Sequence, residues 1–219
     1  GLISPKQVFN YFKSINSSGS EFFIRELFWR EFYNYILFHF PRSEEENFNG
    51  INIKWNENEE DFQNWCEGKT GVPIIDAAMI HFNTTGLMHN RLRMVVASFL
   101  TKNLFIDWKK GESYFASKLF DYEASSNIGS WQWSASTGAD ATPYFRVFNP
   151  YIQSKKFDKD GIFIKSIIKE FENIDVKLFH IENGVQSNLF VNYSKSIVDI
   201  KLSRQRAIQK FKKAKNESI

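Results

Sequence analysis

Cysteine is nearly absent from this chain: Cys66 is the only one in 219 residues. No intrachain disulfide can form, and the sequence fits a reducing compartment inside the cell. No apolar run reaches membrane-spanning length, and no signal peptide opens the chain. Metal chemistry has no foothold either. His39, His81, His89 and His180 lack ligand spacing. No Ser/His/Asp set, phosphate loop, internal repeat or strand alternation stands out. What remains is an all-α, single-domain reading with no membrane and no metal.

What is abundant is aromatic. Hydrophobic residues make up 42% of the chain and aromatics 17%, with 23 phenylalanines, enough to bury a sizeable core. The net charge of +3 leans mildly toward polyanions. The first residue is Gly1, not Met, and residues 1–12 already read as the approach to a helix, so a piece of something longer is expected.

The stretch Asp121 to Gly138, DYEASSNIGSWQWSASTG, sets Trp131 and Trp133 among very small residues. Small side chains let a backbone approach a ligand, and an indole offers a wide apolar face with one donor. Asp121, Glu123 and Asn127 add groups that could read a heterocycle's edge. The alternative is an aromatic helix–helix corner packed in the core.

Ser4-Pro5 starts a helix, and residues 16–20 break it. Residues 21–40 then form a helix apolar nearly all round, which predicts a buried central element. Glu26, Trp29 and Arg30 share one face of it. A carboxylate there either pairs with Arg25 or Arg30 or lines a polar cavity with Trp29 as a wall. Burial among Phe22, Phe23, Phe28 and Phe32 would favour its neutral form. Residues 42–60 read as an acidic surface loop anchored by Trp55. A short helix with Phe62, Trp65 and Cys66 ends at Gly68, and another runs from Pro73 through Phe82. The stretch 90–107 reads as one helix, with Asn90, Arg91, Arg93 and Met94 in its first turns. Two arginines there oppose the helix dipole and point to anionic partners. Further helices are expected at 111–120, 160–171 and 196–215, the last with a basic face, and 172–195 is irregular. Gln153, Lys155 and Lys156 project from a short polar segment and suit phosphate contact.

Several strings together resemble one family: ELFWREFY, WCEGKTGVPIIDAAM, TGLMHNRLRMVVASFL, IDWKKGESYF, NIGSWQWSASTG and RVFNPYIQSKKFD. They are similar, in order and spacing, to the cofactor domain of the photolyase/cryptochrome family over about residues 1–170, and look most like class I cyclobutane pyrimidine dimer photolyases. The last 45 or so residues match loosely. The resemblance implies an all-helical FAD domain that takes a flipped-out lesion from DNA and repairs it by light-driven electron transfer from reduced, anionic FAD.

It also implies roles. Glu26 resembles the carboxyl that hydrogen-bonds the dimer carbonyls. Trp29 and Trp133 resemble the walls that clamp the dimer, with Asn90 and Met94 as cavity neighbours and Asn90 also touching the cofactor. Arg91, Gln153 and Lys156 resemble contacts to the lesion strand. Arg93 and Asp121 look like an ion pair beside the flavin, Asn127 like the residue facing flavin N5, and Arg30 like a cofactor phosphate contact. Trp131, Trp108 and Trp55 resemble the electron path from flavin to surface, while Trp65 is left a packing role near the adenine end.

Departures accompany the likeness. Asp121-Tyr122-Glu123 stands where the family has Asp-Gly-Asp, so Glu123 brings an extra methylene to the flavin. Ser125, Ser126, Ile128 and Ser130 replace mostly Ala, Ala, Asn and Gly. The family's α/β antenna domain and its Thr/Ser-rich diphosphate loop lie outside the sequence, so the antenna pigment is not specified. Three readings follow: a DNA repair enzyme located with its DNA in the cytoplasm, a cryptochrome-like light sensor, and a flavin-free helical interaction fragment.

Overall fold

A computed structural model describes residues 3–15, 17–188 and 191–217. Among them the regular elements are helical, apart from one isolated bridge between Asn56 and Ile106. Helix α1 (Pro5–Ile15) begins with a reciprocal cap. Ser4 Oγ accepts from the Gln7 amide at 3.2 Å, and Gln7 Oε1 accepts from the Ser4 amide at 2.9 Å. A second capping box, Ser17 with Ser20, starts α2 (Ser18–His39). The expected break at 16–20 is therefore confined to its first residues; Gly19 and Ser20 are already helical, and Asn16 lies outside the described residues.

Helix α2 is not the buried centre its composition predicts. Ser20 is its only buried residue among those described, and Phe22, Phe28 and Phe38 are 61, 63 and 81% exposed. The helix packs on α1 along one side and on α7 (Ala124–Ala135) along another, which leaves apolar faces uncovered. The ring pairs Phe12–Phe23 and Phe9–Phe28 tie α1 to it.

The core forms instead around α3 (Glu59–Glu67), α4 (Pro73–Thr85), α5 (Asn90–Ser98) and α6 (Trp108–Lys118). Trp65 is fully buried, lies near-parallel to Phe62 and Phe115, and donates its indole N–H to the Val96 carbonyl at 3.1 Å. It is thus a core residue, as its packing role requires. In α4, Ile74, Ile75, Ala77, Ala78, Met79 and Phe82 are all buried. The buried carboxylate of Asp76 accepts from the Thr70 amide and hydroxyl, the Gly71 amide and the Tyr193 hydroxyl, stapling the 70–72 turn to the C-terminal segment. Burial lifts its pKa to about 6 against these hydrogen bonds.

The stretch 90–107 is not one helix. α5 gives way to a π-helical stretch over Phe99–Leu104, and Phe105 closes it in the left-handed region at φ 60°. That stretch carries a polar group inside the core. Lys102 is fully buried, and its Nζ donates to Ser136 Oγ at 2.6 Å and to the Ala135 carbonyl at 3.2 Å. The ammonium also sits 3.7 Å from the Phe211 ring centroid. Burial pushes its pKa well down. That one side chain joins the π stretch, the end of α7 (Ala124–Ala135) and α10 (Ile200–Glu217).

Toward the C-terminus, α8 (Pro150–Phe157) replaces the expected polar segment, and Lys155 and Lys156 occupy its last turn, where the dipole favours cations. The helix expected over 160–171 is shorter: α9 (Ile162–Ile167), then a 3-10 turn over Lys169–Phe171. Asp158 fixes that start by accepting from the Phe163 and Ile164 amides. Basic α10 packs Ala207, Phe211 and Ala214 against Phe105 and Ile53.

Candidate ligand cavity

Between α2, α5, α6 and α7 lies a cavity of about 700 Å³, inside the roughly 300–1,000 Å³ usual for small-molecule sites. Glu26, Trp29, Arg30 and Tyr33 line it from α2, Asn90, Arg93, Met94 and Ala97 from α5, and Phe115 and Leu119 from α6 and its end. Asp121, Glu123, Ser126, Asn127, Ser130, Trp131, Trp133 and Ser134 supply the remaining wall. The stretch that stood out in the sequence is this wall, not only a packing corner.

Helix α7 is held rigidly at both ends and in the middle. Glu123 is its N-cap. The two carboxylate oxygens accept from the amides and hydroxyls of Ser125 and Ser126. Burial raises its pKa, but those bonds outweigh burial and hold the carboxyl below its ordinary value. The longer Glu side chain and the two extra serines thus form one unit, and Glu123 spends its oxygens on its own helix. Between the tryptophans, buried Gln132 donates to the Ser43 and Glu46 carbonyls at 2.6 and 3.1 Å and accepts from the Phe48 amide at 2.9 Å. At the far end Ser136 turns left-handed, φ 64°.

Two glycines let neighbours close in. A Cβ on Gly111 would lie 2.2 Å from Trp131, and one on Gly129 would lie 2.1 Å from the Tyr33 ring. The first brings α6, which begins at Trp108, onto the Trp131 indole. The second seats Tyr33 against α7, where burial raises the Tyr33 pKa to about 12, with Asp140 adding to it and a hydrogen bond to Ser130 opposing.

The polar groups are oriented. Arg93 donates Nε to the Met88 carbonyl at 2.7 Å and its terminal nitrogen to both Asp121 oxygens at 2.9 Å, so the expected ion pair is present at the cavity. Buried Asn127 donates Nδ2 to the Glu112 carbonyl at 3.2 Å and to Glu112 Oε1 at 3.0 Å. A peptide carbonyl only accepts, so the amide nitrogen must face Glu112 and the carboxamide oxygen is left for the cavity. Burial raises the Glu112 pKa, hydrogen bonds from Asn127 and Tyr122 oppose, and Glu44 adds to the rise.

Of its two alternatives Glu26 takes the cavity, with Trp29 beside it in the lining. It is exposed rather than wrapped in phenylalanine, and neither arginine pairs with it. Arg25 stacks on Phe22 at 4.4 Å, and Arg30 pairs with Glu31 at 2.6 Å. Arg30 lines the cavity, yet its guanidinium is already engaged. Trp29 is 39% exposed and stands beside Tyr33.

Five candidates lie outside the cavity lining. Trp108 is buried and donates to Asn47 Oδ1 at 2.8 Å. Trp55 is half-buried against Phe105 and Phe211, which anchors its loop. Arg91 stacks on Phe157 at 4.6 Å, and Gln153 and Lys156 stand on the same α8 as that ring. Sequence reasoning missed Tyr33, Glu112 and Gln132. Tyr33 was findable, lying four residues after Trp29 and seven after Glu26 on one face. Glu112 had no local signal, since its partner is fifteen residues away.

Residues 23–213 match the family described as the FAD binding domain of DNA photolyase. The deoxyribodipyrimidine photo-lyase of Vibrio cholerae is 46% identical over 91% of this chain and 43% of its own length. That of Escherichia coli is 39% identical over 98% and 48%. Among solved structures, a class III photolyase from Agrobacterium tumefaciens aligns with TM-score 0.89 at 40% identity, over 98% of this chain and 47% of that one. A cryptochrome from Synechocystis aligns with TM-score 0.86 at 31% identity, over 94% and 46%. The chain spans about half the length of the curated relatives it matches.

Proposed function

We propose that this chain, which belongs to the family of FAD-binding domains of DNA photolyases, forms most of the flavin and lesion site of a light-driven enzyme that repairs cyclobutane pyrimidine dimers. On this reading the domain is partial, and the diphosphate-binding loop and antenna domain come from the remainder of the protein or from a complementing chain. The observation that carries it is convergence: Trp29, Trp133, Glu26 and the Asn127 carboxamide oxygen open on one cavity that the Arg93–Asp121 pair borders.

The donor set fits a flavin ring. It offers broad aromatic walls, an acceptor for a ring N–H and a fixed ion pair, whereas Glu123 and Arg30 are already bonded within the chain. When bound, FAD in its reduced, anionic form would supply the light-driven electron transfer that splits the dimer. The protein's part is position. Trp29 and Trp133 hold the flipped dimer by stacking, worth roughly 1–3 kcal/mol per base. Glu26 faces the dimer carbonyls from the same wall as Trp29, and a group that meets charge only as it develops affects rate more than binding. Trp131, Trp108 and Trp55 conduct electrons from the surface. Arg91, Gln153 and Lys156 grip the strand at the rim. No helix among the described residues is long and apolar enough to cross a membrane, and a cytoplasmic, DNA-associated location follows from the repair role.

A light sensor is the second reading, favoured by the alignment with a cryptochrome. Illumination of full-length protein with a dimer-containing oligonucleotide separates the two. Repair is expected, and Trp133→Ala should weaken lesion binding far more than binding of undamaged DNA. Flavin binding without repair would establish the sensor reading; equal loss on both DNAs would remove Trp133 from the lesion clamp.

A further inference from the structure

Arg91 sits in the first turn of α5, the end that repels a cation. Its guanidinium carbon lies 4.6 Å from the ring centroid of Phe157, the last residue of α8. Lys156 Nζ lies 5.2 Å from the same ring. Phe157 is 51% exposed, so core packing does not explain it; Pro150, Tyr151 and Ser154 are the residues by which α8 is buried.

The charges around this ring are unanswered. Among the described residues no carboxylate pairs with Arg91, Lys155 or Lys156. The nearest acid in sequence, Asp158, spends its two oxygens on the Phe163 and Ile164 amides. Cations crowded together without a partner repel one another, and a ring face offsets part of that cost. A guanidinium whose face is stacked keeps its N–H edge free and held in one plane. That is the arrangement that takes a tetrahedral oxyanion by two parallel hydrogen bonds.

Location gives the oxyanion its source. Arg91 follows Asn90, which lines the cavity. Gln153 precedes Phe157 by four residues and so shares its helix face. The stacked pair therefore stands where the first turn of α5 meets the last turn of α8, beside the cavity.

We propose that Phe157 is a positioning residue for DNA: its ring holds Arg91 and Lys156 in register for the phosphodiesters flanking the nucleotide that enters the cavity. The proposal rests on the photolyase reading above and adds to it a residue that touches neither base nor flavin. It accounts for an exposed aromatic that packing does not need. It also explains how an arginine is kept at an unfavourable helix end without a carboxylate.

The test uses the full-length protein with a dimer-containing oligonucleotide, binding being measured across salt concentrations. Phe157→Leu keeps apolar bulk and loses the ring face; Phe157→Tyr keeps the face. Leu should weaken binding about two- to fivefold at low salt, the scale of an exposed cation–π contact. It should also lower the slope of log K against log salt by about 0.7–0.9, one phosphate contact. Tyr should match the parent in both. In an Arg91→Ala background, Phe157→Leu should change much less, because the two act as a unit. Circular dichroism and the flavin spectrum, read on each variant, guard against a folding defect. If the parent binds DNA and Leu matches it in affinity and slope, Phe157 has no positioning role and this proposal falls alone. If Leu weakens binding with the slope unchanged, or weakens it equally without Arg91, the ring acts through packing, and the proposal is again overturned. If the parent shows no DNA binding, the photolyase reading fails and carries this one with it.

Discussion

Replacing Glu112 by alanine tests how the cavity chooses its ligand. Asn127 gives both amide hydrogens to Glu112, one to its carbonyl at 3.2 Å and one to its side chain at 3.0 Å. Glu112→Ala removes the second and leaves the first. A neutral buried hydrogen bond is worth about 0.5–1.5 kcal/mol and a charged one about 1.5–3 kcal/mol. Glu112 is only partly buried, so water competes for this bond and the lower figure is the better measure. About 1 kcal/mol less then restrains the carboxamide, or roughly a fivefold loss of preference for the oxygen-inward orientation. With the oxygen inward, the site accepts from a ring N–H, which a reduced flavin carries and an oxidised flavin lacks at the same nitrogen. The assay is the ratio of affinities for reduced and oxidised FAD, measured without oxygen. The parent should favour reduced FAD, Glu112→Ala should cut the ratio about fivefold, and Glu112→Gln, which keeps an acceptor oxygen, should retain most of it. An unchanged ratio in Glu112→Ala, alongside a changed ratio in Asn127→Ala, would refute the coupling.

Other perturbations probe separate parts of the account. Trp131→Phe should block photoreduction of oxidised flavin while sparing repair by chemically reduced enzyme, read by transient absorption and repair yield. Gly129→Ala sets a Cβ 2.1 Å from the Tyr33 ring and should lower stability in chemical denaturation by about 1–3 kcal/mol, a loss that Tyr33→Ala in the same chain should partly relieve. Asp76 titrates at about 6 when folded against an ordinary 3.8. Between those values the folded state binds more protons than the unfolded state, so the Asp76 contribution should weaken folding as pH rises through the window. The change is up to about 3 kcal/mol at about 1.36 kcal/mol per unit, visible as a pH-dependent difference between parent and Asp76→Asn.

Elements whose signals are local were readable from sequence. Ser4-Pro5, Gly68 and Pro73 mark helix ends through backbone chemistry that acts within a few residues, and the structure has helix boundaries there. The wall from Asp121 to Gly138 was legible because indoles among small residues are uncommon in plain packing. What failed depended on distant partners. An all-round apolar pattern in α2 states that its faces suit burial, not that these 219 residues contain the cover. The π stretch holds Lys102, whose partner Ser136 lies thirty-four residues on. Glu112 became visible only once Asn127 was placed beside it, and Phe157 looked like one phenylalanine among many until Arg91 lay over it.

The central claim is that the cavity between α2, α5, α6 and α7 holds the flavin. Its most direct test is FAD binding by the full-length protein, followed by visible absorbance and by quenching of flavin fluorescence, in the parent and in Ser130→Trp, which places an indole at the cavity wall. The account predicts saturable binding with quenching by the neighbouring tryptophans in the parent, and loss of that binding in Ser130→Trp with the helical circular dichroism unchanged. Binding of equal strength in the two proteins, or none in a folded parent, would contradict it.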